Sequence, residues 1–493
     1  MRIIPKIEIK NDNLVKGIGF EGLRVLGDPK FFIDYYNKTI ADEFFIIDVV
    51  PSLYGTKHNF KILENFCKFT SVPITVSGGL RHITDIDRAF SAGADKVSLN
   101  TILFKKKKIL DNVINKYGSQ AVSANLEVFE SSDKCYLFSG FGKEQTGVIL
   151  EDKIKHLNES GIGEIIVSSI KKDGSLSGVD YKLLEKIEKF SNCPILYSGG
   201  VKNLQEIYNI KKNFDIDGLL VGSLFHYNLL SQNHDQKEII SKSKIGNKDF
   251  ISERDNLKKI PKLNQIDFKS LQKRKTQSKK NLKINNIKTK ICILDLEVGN
   301  VFSLKNFLTK FNFNFIISDK VKEIKNCDLL IISGDCNSSF CLDEIKKKNL
   351  TKTITEFFEK KKLIGICSGM QIMFEDIYEG KKSKGLSLFK GSIKKIKLKN
   401  KNIKLPNIGW RKLRNLKKQD NIKATKDYYF LHSYRAQDYN RKDCLYSSDY
   451  KGVEIPSIFF KNQTLLFQFH PEKSGDFGHQ LFFNSIKYLS YIK

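Results

Sequence analysis

Short apolar runs rich in β-formers alternate with amphipathic stretches of helical period throughout residues 1–245, and such alternation has few solutions other than a parallel sheet wrapped in helices. The runs are RIIPKIEI, EFFIIDVV, PITVSG, KVSLN, AVSANLEV, EIIVSSI, PILYSG and GLLVGS. Eight such strands in about 250 residues predict a (β/α)8 barrel. The halves of the region also repeat one another. Ile46-Ile47-Asp48 through Gly55 matches Ile165-Ile166-Val167 through Gly174 at a shift of 119, and Ser77-Gly78-Gly79 recurs as Ser198-Gly199-Gly200 at a shift of 121. A duplicated half-barrel accounts for both. The first shift carries Glu8, at the end of the first strand, onto Glu127, at the end of the fifth, so that two carboxylates face each other across the barrel mouth.

At 493 residues the chain exceeds what one core usually serves. After Lys290 a second α/β pattern begins with ICILDL, passes through DLLIISG and KLIGICSG and ends in TLLFQFHPEKS, which predicts a smaller flavodoxin-like domain. The expected boundaries are 1–245 for the barrel, 246–287 for a Lys-rich linker and 288–493 for the second domain. The net charge of +29 raises the question of nucleic acid, but residues 241–290 alone hold 16 Lys or Arg against 4 Asp or Glu. The remaining excess is lysine spread along the chain rather than a stripe aimed at phosphates, so no specific nucleic-acid partner is expected. No apolar run reaches the roughly 18 residues of a membrane span, and the opening MRIIPKIEIKNDN lacks the succession of a secretory signal, which together point to the cytoplasm. The nine cysteines are scattered and form no CxxC pair, which argues against a disulfide framework and against zinc. No metal and no cofactor is expected.

Within the second domain, Gly365-Ile366-Cys367-Ser368-Gly369 places a cysteine between two glycines, after a buried strand and before a helix. This is the thiol form of a nucleophile elbow: a tight turn pushes the sulfur into a cleft, and the helix amino terminus favours a thiolate and an oxyanion. Gln468-Phe469-His470-Pro471-Glu472 supplies a base, His470, and a carboxylate, Glu472, to orient it.

Together these segments resemble the class I glutamine amidotransferases over about 200 residues. His432-Ser433-Tyr434-Arg435, Gly299-Asn300, Gly385-Leu386-Ser387-Leu388 and Pro406-Asn407-Ile408-Gly409-Trp410 resemble the glutaminase subunit of imidazole glycerol phosphate synthase in particular. The resemblance implies that Cys367, His470 and Glu472 are a glutaminase triad and that Gln371 with His432, Ser433 and Tyr434 holds glutamine. Ser333-Gly334-Asp335-Cys336 departs from the family's Pro-Gly-x-Gly oxyanion strand, and Arg411 replaces an asparagine.

In a barrel of this kind, chemistry sits at the carboxy ends of the strands, and the loops after strands seven and eight commonly hold phosphate. Gly199-Gly200 and Gly222-Ser223 fit that place, and the repeat puts Gly78-Gly79 with Asn100-Thr101 in the equivalent quarter, predicting a long ligand phosphorylated at both ends. The segments Leu14-Val15-Lys16-Gly17, Gly27-Asp28-Pro29, Ala94 through Thr101, Gly118-Ser119-Gln120-Ala121 and Asp173-Gly174-Ser175 resemble the cyclase subunit of imidazole glycerol phosphate synthase. That family joins ammonia from glutamine to a bisphosphorylated ribonucleotide, phosphoribulosyl-formimino aminoimidazole carboxamide ribonucleotide (PRFAR), giving imidazole glycerol phosphate and an aminoimidazole carboxamide ribonucleotide. The resemblance further implies substrate binding by Lys16, an ammonia gate of Arg2, Glu43, Lys96 and Glu164, and a domain interface that includes Asp95, Lys473 and Trp410. Glu8 and Glu127 stand where the family has its acid and base aspartates. The alternative reading keeps the glutaminase and the barrel but sends the ammonia to a separate sugar amidotransferase of surface-polysaccharide synthesis.

Overall fold

The computed structural model describes residues 1–105, 108–131, 134–232, 288–398, 403–417, 422–424 and 426–491. The connector expected at 246–287 lies outside them. The described residues fall into two compact units, those within Met1–Asp85, Val97–Lys107 and Ser123–Lys275 in one and those within Ile86–Lys96, Lys108–Val122 and Thr276–Lys493 in the other.

Among the described residues the amino-terminal region contains twelve strands: β1 (Arg2–Lys10), β2 (Asn13–Ile18), β3 (Glu21–Gly27), β4 (Phe44–Asp48), β5 (Ile74–Ser77), β6 (Lys96–Leu99), β7 (Val122–Ser131), β8 (Lys134–Ser139), β9 (Glu144–Ile149), β10 (Glu164–Ser169), β11 (Ile195–Ser198) and β12 (Gly218–Val221). Eight of them form a closed parallel barrel in the order β1-β4-β5-β6-β7-β10-β11-β12, with β12 returning to β1. All eight predicted runs are barrel strands. β1 and β7 lie four strands apart in the ring of eight, which puts Glu8 and Glu127 on opposite walls.

The remaining four strands form antiparallel hairpins that continue β1 and β7 and that the apolar pattern does not announce. The turn from β1 to β2 is made by Asn11 and Asp12, both left-handed (φ 48° and 65°), the backbone a two-residue hairpin loop demands. Phe20 in the first hairpin and Phe141 in the second are also left-handed, and their rings stack with centroids 4.7 Å apart. The half-barrel repeat therefore extends to these insertions, through Gly19-Phe20 and Gly140-Phe141.

The carboxy-terminal region contains β13 (Ile291–Leu294), β14 (Phe315–Ser318), β15 (Leu329–Ile332), β16 (Lys362–Ile366), β17 (Phe374–Ile377), β18 (Ser383–Lys384), β19 (Phe389–Lys395), β20 (Asn407–Asn415), β21 (Asp427–His432), β22 (Tyr434–Gln437), β23 (Cys444–Tyr450), β24 (Val453–Lys461) and β25 (Thr464–Phe467). Its main sheet runs β14-β13-β15-β16-β25-β24-β23-β20-β21, parallel through β25 and antiparallel beyond it, and a second sheet orders β18-β17-β19-β22. The central strands are apolar on both faces because a core packs against each.

Cys367 joins β16 to the short helix Ser368–Gln371 and is left-handed at φ 51°. The flanking glycines answer a need for space rather than for φ. A Cβ on Gly369 would lie 2.3 Å from the Ile332 carbonyl oxygen, and one on Gly365 would lie 2.6 Å from the Gly369 carbonyl oxygen. Gly369→Ala should lower stability by about 1–3 kcal/mol, read from denaturant midpoints, because backbone on both sides leaves no room to give.

Candidate active sites

The elbow brings the predicted glutaminase residues together. The Cys367 N–H donates to the Phe467 carbonyl of β25 at 2.7 Å, and the Cys367 carbonyl accepts from Met370 and Gln371, so the turn is fixed at both ends. His470 follows β25, with its backbone N–H donating to the Tyr429 carbonyl at 3.0 Å. Its Nδ1 lies 2.9 Å from Glu472 Oε1, and the ring also interacts with the Cys367 side chain. Burial pushes the Cys367 thiol up, and the nearby His470 ring pulls it back down. Burial alone would lower the imidazole, but the carboxyl groups of Asp335 and Glu472, with the sulfur, hold it well above the ordinary histidine value.

The predicted glutamine-binding residues Gln371, His432 and Tyr434 are joined by hydrogen bonds. Gln371 Nε2 donates to the Tyr434 carbonyl at 3.2 Å and to Gln468 Oε1 at 3.4 Å. His432 is neutral, its pKa pushed down to about 3 by burial. Its Nδ1–H donates to the Tyr434 carbonyl at 2.7 Å and its Nε2 accepts from Asn407 at 3.1 Å, which fixes the tautomer. The buried Ser433 gives its carbonyl to the Ile396 N–H at 2.9 Å. His479 donates Nε2–H to the Glu472 carbonyl at 3.0 Å.

The sequence pattern assigned no part to Asp335, whose Oδ1 stands 3.4 Å from the same His470 Nδ1. Asp335, His470 and Glu472 have ligand-capable atoms within 4.8 Å of one another, the one such group of three among the described residues. Within the group, His470 and Glu472 are hydrogen-bonded at 2.9 Å. Lys473 Nζ pairs with Asp95 at 2.9 Å, and Asn300 Nδ2 donates to Asp95 at 2.9 Å, all three within the second compact unit. Trp410 packs edge-on against Tyr429, with centroids 5.7 Å apart.

In the barrel, Glu8 is clamped. Lys6 Nζ lies 2.7 Å from one of its oxygens and Lys16 Nζ 2.9 Å from the other, and the same two ammonium groups reach Asp173 at 3.1 and 2.7 Å. All four side chains are buried. Lys6 and Asp173 carry no role in the sequence reading, because the closure of this square joins residues 167 apart in the chain rather than following any local pattern. Glu127 stands differently: Oε2 accepts the Gly142 N–H at 2.8 Å, and burial pushes the carboxyl up to about 7. Glu8 thus faces two ammonium groups, and Glu127 a backbone N–H.

Lys6, Lys16 and Asp173 also line the cavity formed by Gly199, Gly200, Gly222 and Ser223. Ser223 opens the helix Ser223–Gln232, and its buried Oγ has no hydrogen-bond partner among the described residues, a donor at a helix amino terminus that suits an anion. The glycines are needed for the backbone in any case: Gly200 is left-handed at φ 83°, and a Cβ there would lie 2.3 Å from the Gly178 carbonyl oxygen. In the other quarter, Gly78 and Gly79 are left-handed, while Asn100 Nδ2 donates to the Asn125 carbonyl at 2.8 Å and Thr101 Oγ1 accepts from the Gly140 N–H at 3.2 Å. At the opposite end of the strands, Arg2 pairs with Glu43 at 2.8 Å and with Glu164, and Thr75 donates to Glu43 at 2.5 Å. Lys96 is buried at the start of β6.

Two stretches of the chain are similar to known proteins. Residues 2–231 match the family model described as histidine biosynthesis protein, and residues 293–488 match glutamine amidotransferase class-I. The imidazole glycerol phosphate synthase subunit HisF of Natranaerobius thermophilus is 31% identical over 230 residues, 47% of this chain and 92% of the relative. The same subunit from Dictyoglomus thermophilum is 35% identical over 227 residues, covering 46% and 90%, and that of Lactococcus lactis subsp. cremoris is 33% identical over 241 residues, covering 48% and 93%. The chain belongs to the histidine biosynthesis protein family. It is an enzyme in which a HisF-like cyclase barrel is fused to a class I glutamine amidotransferase domain. Among the described residues no helix is long and apolar enough to cross a membrane.

The setting of Glu127 has a thermodynamic consequence. Its folded pKa lies above the ordinary carboxyl value, so its contribution to stability is greatest below the unfolded pKa and is lost as pH rises through about 7. Glu127→Gln should therefore be more stable than the wild type at pH 8, by roughly 1–3 kcal/mol, with the difference shrinking toward pH 5 when urea unfolding is followed at both values.

Proposed function

We propose that this chain is a bifunctional imidazole glycerol phosphate synthase: Cys367 liberates ammonia from glutamine, and the barrel joins that ammonia to PRFAR, yielding imidazole glycerol phosphate and the aminoimidazole carboxamide ribonucleotide of histidine biosynthesis. In the first half-reaction His470 takes the thiol proton, Cys367 Sγ attacks the glutamine carboxamide, and the proton passes to the departing ammonia. Glu472 orients the ring. Water then releases glutamate from the thioester by the same base. Gln371, His432, Ser433 and Tyr434 hold the glutamine. In the barrel, the ends of the bisphosphate rest at Gly199, Gly200, Gly222 and Ser223 and at Gly78, Gly79, Asn100 and Thr101. Lys16 contacts the substrate. Arg2, Glu43, Lys96 and Glu164 form the gate by which ammonia enters.

The observation that carries the cyclase assignment is the contrast between Glu8, held by two lysines, and Glu127, pushed up to about 7. A carboxyl with that pKa serves as general acid at neutral pH, and Glu8 serves as its base. The nine cysteines, all buried and none in a disulfide, suit the reducing cytoplasm. A second reading, in which the barrel only conducts ammonia to a separate sugar amidotransferase, draws support from the same clamp, since Lys6 and Lys16 leave Glu8 little freedom to reach a substrate.

Purified protein given PRFAR and an ammonium salt decides between them. Imidazole glycerol phosphate should form with a pH profile that contains an ionisation near 7, and Glu127→Gln should lose about a hundredfold or more in kcat. Glutaminase activity that appears only with a third protein, and no turnover of PRFAR, would favour the second reading. Cys367→Ala should abolish the glutamine-dependent reaction and leave the ammonium-dependent one within about twofold.

A further inference from the structure

Asp335 follows β15 in a turn pressed against the nucleophile: a Cβ on the neighbouring Gly334 would lie 2.6 Å from Cys367 Cβ. Its backbone is left-handed at φ 68°, a conformation that Asp and Asn tolerate better than other non-glycine residues. The side chain is almost wholly buried. Oδ2 accepts the Asn300 N–H at 3.4 Å, and Oδ1 stands 3.4 Å from His470 Nδ1 on the nitrogen that Glu472 already approaches to 2.9 Å.

One imidazole nitrogen offers one N–H, so two carboxyl groups converging on Nδ1 cannot both be fully served. The charged and titratable groups acting on Asp335 are His470, Glu472, Asp95 and Lys473; those acting on Cys367 are His470, Asp335 and Glu379. Burial pushes Asp335 itself up to about 6 and Glu472 adds to that, while His470 pulls the other way; as a carboxylate it pairs with His470. Its negative charge then acts on both partners of the reaction: it strengthens the imidazolium beside it and opposes formation of the thiolate on the far side of the ring.

We propose that Asp335 is a positioning residue that sets the pH window of the glutaminase, its carboxyl group standing 3.4 Å from His470 Nδ1 beside Glu472 and in a turn packed against Cys367. The inference rests on the glutaminase reading of Cys367 and His470. Its consequence is a site whose working range lies higher in pH than a single orienting carboxylate would give, with the restraint on the thiol relaxed when Asp335 is neutral or is drawn away from the ring.

Asp335→Asn keeps the size, the acceptor for Asn300 and the left-handed backbone while removing the charge. Two profiles are read across pH on the full-length chain: alkylation of Cys367 by iodoacetamide, and kcat/KM for glutamine hydrolysis. Removing a buried charge this close shifts neighbouring pKa values by about 1 unit or more. Both limbs of each profile should therefore move to lower pH in the variant, and alkylation at pH 7 should rise about tenfold. Asp335→Glu, which restores the charge, should return the limbs toward the wild type. Should Asp335→Asn not fold, Asp335→Gly accepts the same φ and gives the same test. Limbs unmoved in the uncharged variant, with Cys367→Ala inactive, would overturn the inference alone. Glutamine hydrolysis surviving in Cys367→Ala would instead overturn the reading beneath it.

Discussion

A charge taken out of water has to be met by an opposite charge or by hydrogen bonds, and both reaction centres of this enzyme are built around that requirement. In the glutaminase centre the imidazole of His470 is buried between Glu472 and Asp335 on one side and the Cys367 sulfur on the other. In the barrel, two lysines and two acids close a square at the carboxy ends of the strands, and Arg2 is neutralised by Glu43 and Glu164 at the other end. Removing one member of such a cluster leaves a buried charge uncompensated, typically at several kcal/mol, whereas an exposed pair of the kind spread over the lysine-rich surface contributes roughly 0–1 kcal/mol. These clusters therefore bear on stability and chemistry at once.

Backbone geometry aims the groups that the charges hold. Cys367 sits at a tight turn where the backbone crowds so closely that only glycine fits at positions 365 and 369. Glu8 and Glu127 face inward on opposite walls because the barrel is a half-unit repeated, and the hairpins that follow β1 and β7 bring Phe20 and Phe141 together beside them. Lys6 Nζ lies 4.8 Å from the Phe20 ring centroid, which ties the hairpin to the charged square. Symmetry of the chain thus becomes symmetry of the site, broken where a lysine stands beside Glu8 and a backbone N–H beside Glu127.

The eight barrel strands were legible because each is a compact apolar run bounded by turn residues, and the elbow was legible because Gly-x-Cys-x-Gly with a distant His-Pro-Glu is a local signature at both ends. The hairpins were not, since their strands are short, partly exposed and interrupted by bulges. Asn11-Asp12 was the available signal for the first of them. Asp335 could be seen as a departure from a motif, but its approach to His470 joins positions 135 residues apart and exists only in the fold. Lys6 stood in plain view on β1 for the same reason: nothing in RIIPKIEI says that a third strand end will bring Asp173 to meet it. Paired glycines suggested phosphate sites, while the structure gives each pair a backbone reason as well, so that the orphaned Ser223 hydroxyl and the adjacent lysines, rather than the glycines, carry the case for an anion.

The central claim is that ammonia made at Cys367 is consumed by the barrel of the same chain. The direct measurement is isotopic competition: amide-15N glutamine and PRFAR supplied together with an excess of unlabelled ammonium, with the imidazole product analysed by mass. A coupled enzyme gives product carrying 15N far above the fraction expected from mixing with the bulk pool. Product whose label matches the bulk ammonium, or no imidazole product at all while glutamate accumulates, would contradict the account.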